Sequence, residues 1–417
     1  MALNYQEAKI IKGTVPILKE HGEQLTSTFY KTMLHDHPEL NNYFNTVNQA
    51  TGRQPRALTA VILHFAANIS HTSELIPKLE RVCNKHCSLA IKPEHYEIVG
   101  KYLLQAFARI LGATMTPEVH AAWHKAYWIL ARMLIGREAQ LYRDFEKWTG
   151  WRKFRLEGKV AESDDIWSFR LVPVDGKSLP TFLPGQYISV QVDAPALGYL
   201  QSRQYALSDS PKPDHYRITI KRDPGSQYSN TVSSCYFHPG IVSNILVDQM
   251  SNGDTVNVSH PAGEFYLDTN NPSSVPLVLV SAGVGVAPLM SMLNSVAELQ
   301  PGRQVSWIHG SRRGIPFESQ VRQVKRAGAL PHLRVNMFET DLAGRRLTGV
   351  SGGYDFRMDL QRLGREDLFL DHGGTEYYVC GPEQFMIEVR DYLQSEGVAA
   401  GQTKYGFFST GDAAVKS

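Results

Sequence analysis

Pro276-Leu277-Val278-Leu279-Val280-Ser281-Ala282-Gly283-Val284-Gly285-Val286-Ala287-Pro288 decides how this 417-residue chain folds. An apolar run of strand length breaks on a glycine turn, and a helical pattern starts directly behind it. Gly283 and Gly285, on either side of Val284, let backbone approach a pyrophosphate. The N-terminus of the helix opened by Val286, Ala287 and Pro288 favours its negative charge. The last glycine of G-x-G-x-x-G is missing, so the stretch alone also fits a plain strand-to-helix turn.

Downstream, Val305-Ser306-Trp307-Ile308-His309 and Glu376-Tyr377-Tyr378-Val379-Cys380 read as further buried strands. Strands alternating with helices predict a parallel α/β sheet, here over residues 272–417. Cys380-Gly381-Pro382 follows the third strand. Gly310-Ser311-Arg312-Arg313-Gly314 follows the second, and a hydroxyl with an arginine pair suits a ribose 2′-phosphate. No acidic residue, which would favour a free 2′-hydroxyl, stands there before Glu318. The bland alternative is a solvated basic turn.

Upstream, residues 149–271 alternate at period two. Tyr187-Ile188-Ser189-Val190-Gln191-Val192 and Tyr216-Arg217-Ile218-Thr219-Ile220 are strand-like, with turns at Val174-Asp175-Gly176, Leu183-Pro184-Gly185 and Asp223-Pro224-Gly225. They predict a small antiparallel barrel. In Arg203-Gln204-Tyr205-Ala206-Leu207-Ser208, period two sends Arg203, Tyr205 and Leu207 to one face, where an arginine fork suits a phosphate. Gly240-Ile241-Val242-Ser243-Asn244 starts a helix whose N–H groups suit a pyrophosphate.

Residues 1–148 have helical spacing throughout: Leu25, Phe29, Met33; Leu58, Val61, Ile62, Phe65; Ala126, Leu130, Met133, Leu134. The breaks at His37-Pro38, Thr51-Gly52, Lys92-Pro93 and Thr116-Pro117 are helix-loop chemistry. The chain has 15 histidines, so one alone is weak evidence. His86 shares a face with Leu79, Val82 and Leu89 and therefore points inward, where a neutral imidazole suits a haem iron. Cys83, His86 and Cys87, at i, i+3 and i+4, also fit a metal clamp, which lacks a clear fourth ligand.

The balance of 43 basic and 41 acidic residues leaves a net charge of +2. That gives no case for nucleic acid or an anionic membrane. Four cysteines form no disulfide framework, and no apolar run reaches membrane-spanning length. The N-terminus lacks a basic region followed by an apolar core, so the cytoplasm is the expected address.

The chain from about residue 5 to its C-terminus resembles the flavohaemoglobin family. The likeness is carried by Ser27-Thr28-Phe29-Tyr30-Lys31, Asn42-Tyr43-Phe44-Asn45, Gln54-Pro55-Arg56-Ala57-Leu58, Lys85-His86-Cys87-Ser88, Ile91-Lys92-Pro93-Glu94-His95-Tyr96 and Gly136-Arg137-Glu138-Ala139. It continues in Leu183-Pro184-Gly185-Gln186-Tyr187, Pro261-Ala262-Gly263-Glu264-Phe265 and Lys404-Tyr405-Gly406-Phe407-Phe408-Ser409. It implies a globin (1–148), a ferredoxin-reductase-like FAD barrel (149–271) and a nicotinamide domain (272–417). The implied reaction converts nitric oxide and dioxygen to nitrate, with haem b, FAD and NADH or NADPH, in a monomer.

By the resemblance, His86 is the iron ligand, with Tyr96 and Glu138 behind it. Tyr30 and Gln54 lie on the distal side, and Phe44, Leu58 and Lys85 at the haem. Tyr187, Arg203, Gln204, Tyr205, Ala206, Val242, Ser243, Phe407 and Phe408 belong to the flavin. Gly283 to Pro288 and Cys380-Gly381-Pro382 belong to the nicotinamide nucleotide, and Arg312 and Arg313 are added to them from the residue chemistry above rather than from the resemblance. Two residues depart from the family pattern: Ala206 replaces a usual serine and Gly406 a usual glutamate. A flavin-driven reductase of peroxides, ferric complexes or dyes, and a globin gas sensor or oxygen carrier, are the alternatives.

Overall fold

The computed structural model describes residues 3–45, 48–49, 51–70, 76–145, 148–230, 234–238, 240–270, 273–341 and 353–408. Ser409, which ends the C-terminal motif, and the expected domain boundary at 271–272 lie outside these residues.

The N-terminal third is helical: α1 (Tyr5–Asp36), α2 (Arg53–Ala67), α3 (Ile76–Ser88), α4 (Pro93–Leu111) and α5 (Pro117–Asp144). Local chemistry sets the ends. Asn4 and Glu7 form a capping box at α1, Thr116 caps α5, and Pro93 and Pro117 occupy first-turn positions that need no N–H. Ile11, Leu18, Leu25, Phe29, Met33, Phe65 and Phe107 form the core. Helices close in tightly where glycine allows it. A Cβ on Gly22 would lie 2.5 Å from Thr59, and one on Gly100 2.5 Å from the Tyr127 ring.

The next strands are β1 (Arg152–Ala161), β2 (Ile166–Pro173), β3 (Tyr187–Ala194), β4 (Tyr199–Ala206), β5 (Tyr216–Lys221), β6 (Ser226–Asn230), β7 (Ser234–His238) and β8 (Thr255–Val258). Six of them form a sheet in the order β4-β3-β8-β1-β2-β5, and β6 pairs with β7 as a hairpin. The short helix α6 (Ile241–Asn244) precedes β8.

The last sheet has the order β12-β11-β10-β9-β13-β14. Its strands are β9 (Leu277–Ala282), β10 (Val305–Ser311), β11 (Leu333–Glu339), β12 (Gly353–Tyr354), β13 (Glu376–Cys380) and β14 (Thr403–Gly406), and every recorded pairing is parallel. Helices α7 (Val286–Leu299) and α8 (Glu318–Arg326) cover one face and α9 (Glu383–Ser395) the other. Both faces are buried, so the strands read as unbroken apolar runs. The order reverses at β9, which places a crevice beyond the carboxyl ends of β9, β10 and β13.

Two compact units emerge. One comprises residues 1–152 with 189–203 and 258–264; the other comprises 153–188, 204–257 and 265–417. Within the first, Ser189 Oγ donates to Ser88 Oγ at 2.9 Å and Gly263 N–H donates to Asn84 Oδ1 at 2.9 Å. Within the second, Asp209 accepts from Asn294 Nδ2 and Ser291 Oγ of α7, both at 2.7 Å. No described helix is long and apolar enough to cross a membrane.

Candidate functional site

Helices α3, α4 and α5 bring His86, Tyr96 and Glu138 together. His86 Nδ1 lies 2.8 Å from Glu138 Oε1 and 3.0 Å from Tyr96 Oη, and Tyr96 donates to the same carboxylate oxygen at 2.5 Å. Glu138 is 3% exposed. Burial and the facing Glu138 push the Tyr96 hydroxyl well above its ordinary range, so it stays a donor. A carboxylate at Nδ1 fixes the proton there and leaves the Nε2 lone pair for a metal. The donor set therefore fits a haem iron.

Cys83 and Cys87 point to other partners. Their thiols reach the carbonyls of Leu134 and Glu138 on α5, at 3.9 and 3.8 Å. Burial pushes Cys83 up to about 12 and Cys87 higher still. Neutral thiols bonded to backbone make poor metal ligands, and no metal-holding group of histidine, cysteine and acidic residues occurs among the described residues.

Tyr30 of α1 is buried, with the Phe44 ring edge-on at 5.4 Å. Gln54 Nε2 donates to Tyr30 Oη over a long 3.4 Å, and Leu58 packs one turn further along α2. Burial raises the Tyr30 hydroxyl to about 12, against the pull of Gln54. Because its oxygen accepts from Gln54, its own proton is left for a ligand.

Lys85 follows α3 toward Arg81 and Arg203. Burial first, then these two cations, lower it to about 8. Glu264 Oε1 lies 3.9 Å from Arg81 Nε, so one carboxylate faces three cations, and the excess positive charge favours an anionic group. Arg203 is held by Asn45 Oδ1 at 2.8 Å and the Ser202 carbonyl at 2.7 Å. Gln204, Tyr205 and Ala206 complete β4, Tyr187 begins β3, and Val242 and Ser243 are buried in α6.

Gly283 takes φ +55° at the turn after β9, and Gly285 presses so close to the Cys380 carbonyl that no Cβ fits. Val284 lies between them, and Val286, Ala287 and Pro288 open α7 fully buried. A cleft of about 600 Å³ beyond these strands is lined by Ala282, Gly283, Arg312, Arg313, Pro382 and Phe385, among others. Arg313 is engaged there: its guanidinium holds Asp341 at 2.6 Å and lies 3.5 Å from Asp164. The strand end that reads as purely basic is thus faced by carboxylates from the segment just after β11 and from the β1–β2 turn.

The C-terminal motif divides. Phe407 packs on the core of the α9 face, whereas Phe408 is 53% exposed. A Cβ on Gly406 would lie 2.8 Å from the Phe265 ring and 3.0 Å from Cys380 Sγ. Gly406 is therefore matched to Phe265, and a glutamate there would have to displace that ring.

The Globin family profile matches residues 27–134, the oxidoreductase FAD-binding domain 153–266 and the oxidoreductase NAD-binding domain 279–391. The Flavohemoprotein of Bordetella parapertussis is 40% identical over 97% of this chain and 98% of its own. That of Rhizobium meliloti is 37% identical over 97% and 98%. The chain belongs to the flavohemoprotein family. A solved flavohemoglobin from Malassezia yamatoensis, with bound FAD and heme, is 30% identical and superposes with a TM-score of 0.83 over 98% of this chain and 100% of its own. As a flavohemoprotein the chain is an oxidoreductase that joins a globin to FAD- and NAD-binding domains.

Sequence reasoning missed several lining residues. Asp164 and Asp165 lie in the turn between β1 and β2 and Phe385 on α9, and none of them belongs to a motif quoted above. Ser27, Lys31, Asn41, Gln49 and Tyr199 line a second cavity beside Tyr30; Ser27 and Lys31 fall in the motif around Tyr30, which assigns them no role, and Asn41, Gln49 and Tyr199 carry no local motif.

Proposed function

We propose that this flavohemoprotein is a nitric oxide dioxygenase that takes its electrons from NAD(P)H. One observation carries the reading: a buried carboxylate fixes an imidazole in a globin domain that also buries a protonated phenol, Tyr30, beside Gln54 and Phe44. The FAD- and NAD-binding half of a Vibrio cholerae protein, named as that of a nitric oxide dioxygenase, is 28% identical over 61% of this chain and 97% of its own, with a TM-score of 0.51. Bound FAD and haem supply the conversion of a nicotinamide hydride into single electrons at a dioxygen site. Nitric oxide, dioxygen and one electron balance to one nitrate ion.

The residues divide the work. Glu138 and Tyr96 hold His86 with its proton on Nδ1, which raises the basicity of Nε2 toward iron. Tyr30 would offer its O–H as a hydrogen-bond donor to dioxygen bound in the domain, and Gln54 aligns the phenol. Lys85, Arg81 and Arg203 meet negative charge on the cofactors. The turn at Gly283 to Pro288, with Cys380-Gly381-Pro382, receives the nicotinamide nucleotide. The decisive experiment mixes NAD(P)H, dioxygen and nitric oxide with the holoprotein. We expect two nitrates for each nicotinamide oxidised; NAD(P)H oxidation indifferent to nitric oxide would defeat the reading and favour the flavin-reductase alternative.

Two smaller effects follow from this geometry. Tyr30→Phe keeps the packed ring and removes the hydrogen bond to the ligand, a net loss of about 0.5–1.5 kcal/mol, together with the long contact from Gln54. The dioxygen off-rate of the reduced protein should rise roughly 2–13-fold; an unchanged rate in stopped flow would place Tyr30 away from the ligand. At the nucleotide cleft, Arg313 is neutralised by Asp341, so Arg312 is the better partner for a 2′-phosphate. Arg312→Ala should cost NADPH efficiency, relative to NADH, roughly tenfold. Arg313→Ala should cost less. Equal kcat/KM ratios in wild type and both variants would remove these arginines from cofactor choice.

A further inference from the structure

We infer that the cavity beside Tyr30 contains a subsite for a small oxyanion, formed by the Lys31 ammonium, the Gln49 carboxamide N–H and the Ser27 hydroxyl. This rests on the dioxygenase reading, and the anion it admits is nitrate. The cavity measures about 650 Å³ and is lined by Ser27, Tyr30, Lys31, Leu34, Asn41, Phe44, Gln49, Gly52, Pro55 and Tyr199.

Its polar chemistry is one-sided. Gln49 Nε2 is buried and has no hydrogen-bond partner. A buried donor left unpaired is unfavourable, and native sites that keep one supply an acceptor from elsewhere. Lys31 forms no ion pair among the described residues, and no carboxylate lines the cavity. Asn41 Nδ2, which also lines the cavity, is already engaged with the Pro38 carbonyl at 2.9 Å. Ser27 and Lys31 stand one turn apart on α1 and flank Tyr30, so they face the cavity together.

The reaction explains why such a subsite is useful. Two neutral gases enter and one anion must leave. Leu34, Phe44 and Pro55 give the gases an apolar wall, whereas nitrate needs donors to accept charge as it departs. A cation at the exposed edge and an unpaired amide within it form that path.

The test uses the ferric, haem-loaded full chain and isotopically labelled nitrate. Paramagnetic iron speeds the nitrogen relaxation of nitrate held in the cavity, and this readout needs no turnover. Wild type should show saturable enhancement that unlabelled nitrate removes. Lys31→Glu should weaken nitrate binding on the order of tenfold or more, and Gln49→Leu roughly 2–13-fold. Lys31→Arg should preserve it. The Soret band verifies that each variant is folded and loaded. No saturable enhancement in wild type, or full enhancement in both Lys31→Glu and Gln49→Leu, would overturn the subsite. Because nitrate is added as a reagent, binding is scored whether or not turnover produces it, and the stoichiometry assay judges the dioxygenase reading separately.

Discussion

Purified His86→Ala protein is expected to lack a Soret band while retaining FAD and NAD(P)H-driven dye reduction. The substitution removes the imidazole whose Nδ1 is fixed by Glu138 at 2.8 Å and Tyr96 at 3.0 Å. It also withdraws one of the two groups meeting a carboxylate that is 3% exposed. An underpaired buried acceptor costs about 1–3 kcal/mol, so the globin should also unfold at lower denaturant. Nitric oxide consumption should fall to background. A full haem complement with undiminished nitric oxide consumption would remove His86 from the iron and favour the flavin-reductase reading.

The second large effect is expected at Gly285. A side chain there would press into the Cys380 carbonyl and the Gly381 N–H, both backbone, so neither gives way by changing rotamer. Overpacking of this kind costs about 1–3 kcal/mol and more where backbone must move. In Gly285→Val the turn from Gly283 to Pro288 loses its shape against β13. Reduction of the haem by NAD(P)H should fall by at least about 100-fold, a barrier increase of roughly 2.7 kcal/mol. Reduction by dithionite should stay normal. Wild-type NAD(P)H reduction in this variant would show that the turn does not receive the nucleotide.

The legible and the hidden parts of the site differ by a physical criterion. The glycine turn was readable because strand, turn and helix are contiguous, and the inward aim of His86 because helical periodicity is local. Glu138 stands 52 residues from His86; only the family resemblance linked them, since tertiary packing sets that distance. The basic turn at Arg312 and Arg313 illustrates the opposite error. Adjacent sequence shows no carboxylate, yet Asp341 and Asp164 arrive from other elements. Gln49 was invisible for a third reason: an unsatisfied donor is defined by what surrounds it, and no spacing rule reports it. The departure at Gly406 became intelligible only beside Phe265.

The compact units do not follow the order of the chain. Residues 189–203 and 258–264 cluster with the helices, tied there by Ser88, Asn84 and the stacking of Phe145 on His260 at 4.1 Å. A gene fragment cut near residue 150 would therefore sever a physical body rather than separate two. Such a fragment would expose the buried faces of Asn84 and Ser88, on the helix that carries His86, and of Phe145, at the C-terminal end of α5. Modular recombination that exchanges the globin would have to carry those two outlying segments with it. Transplanting the helices alone would graft a haem site missing part of its own foundation.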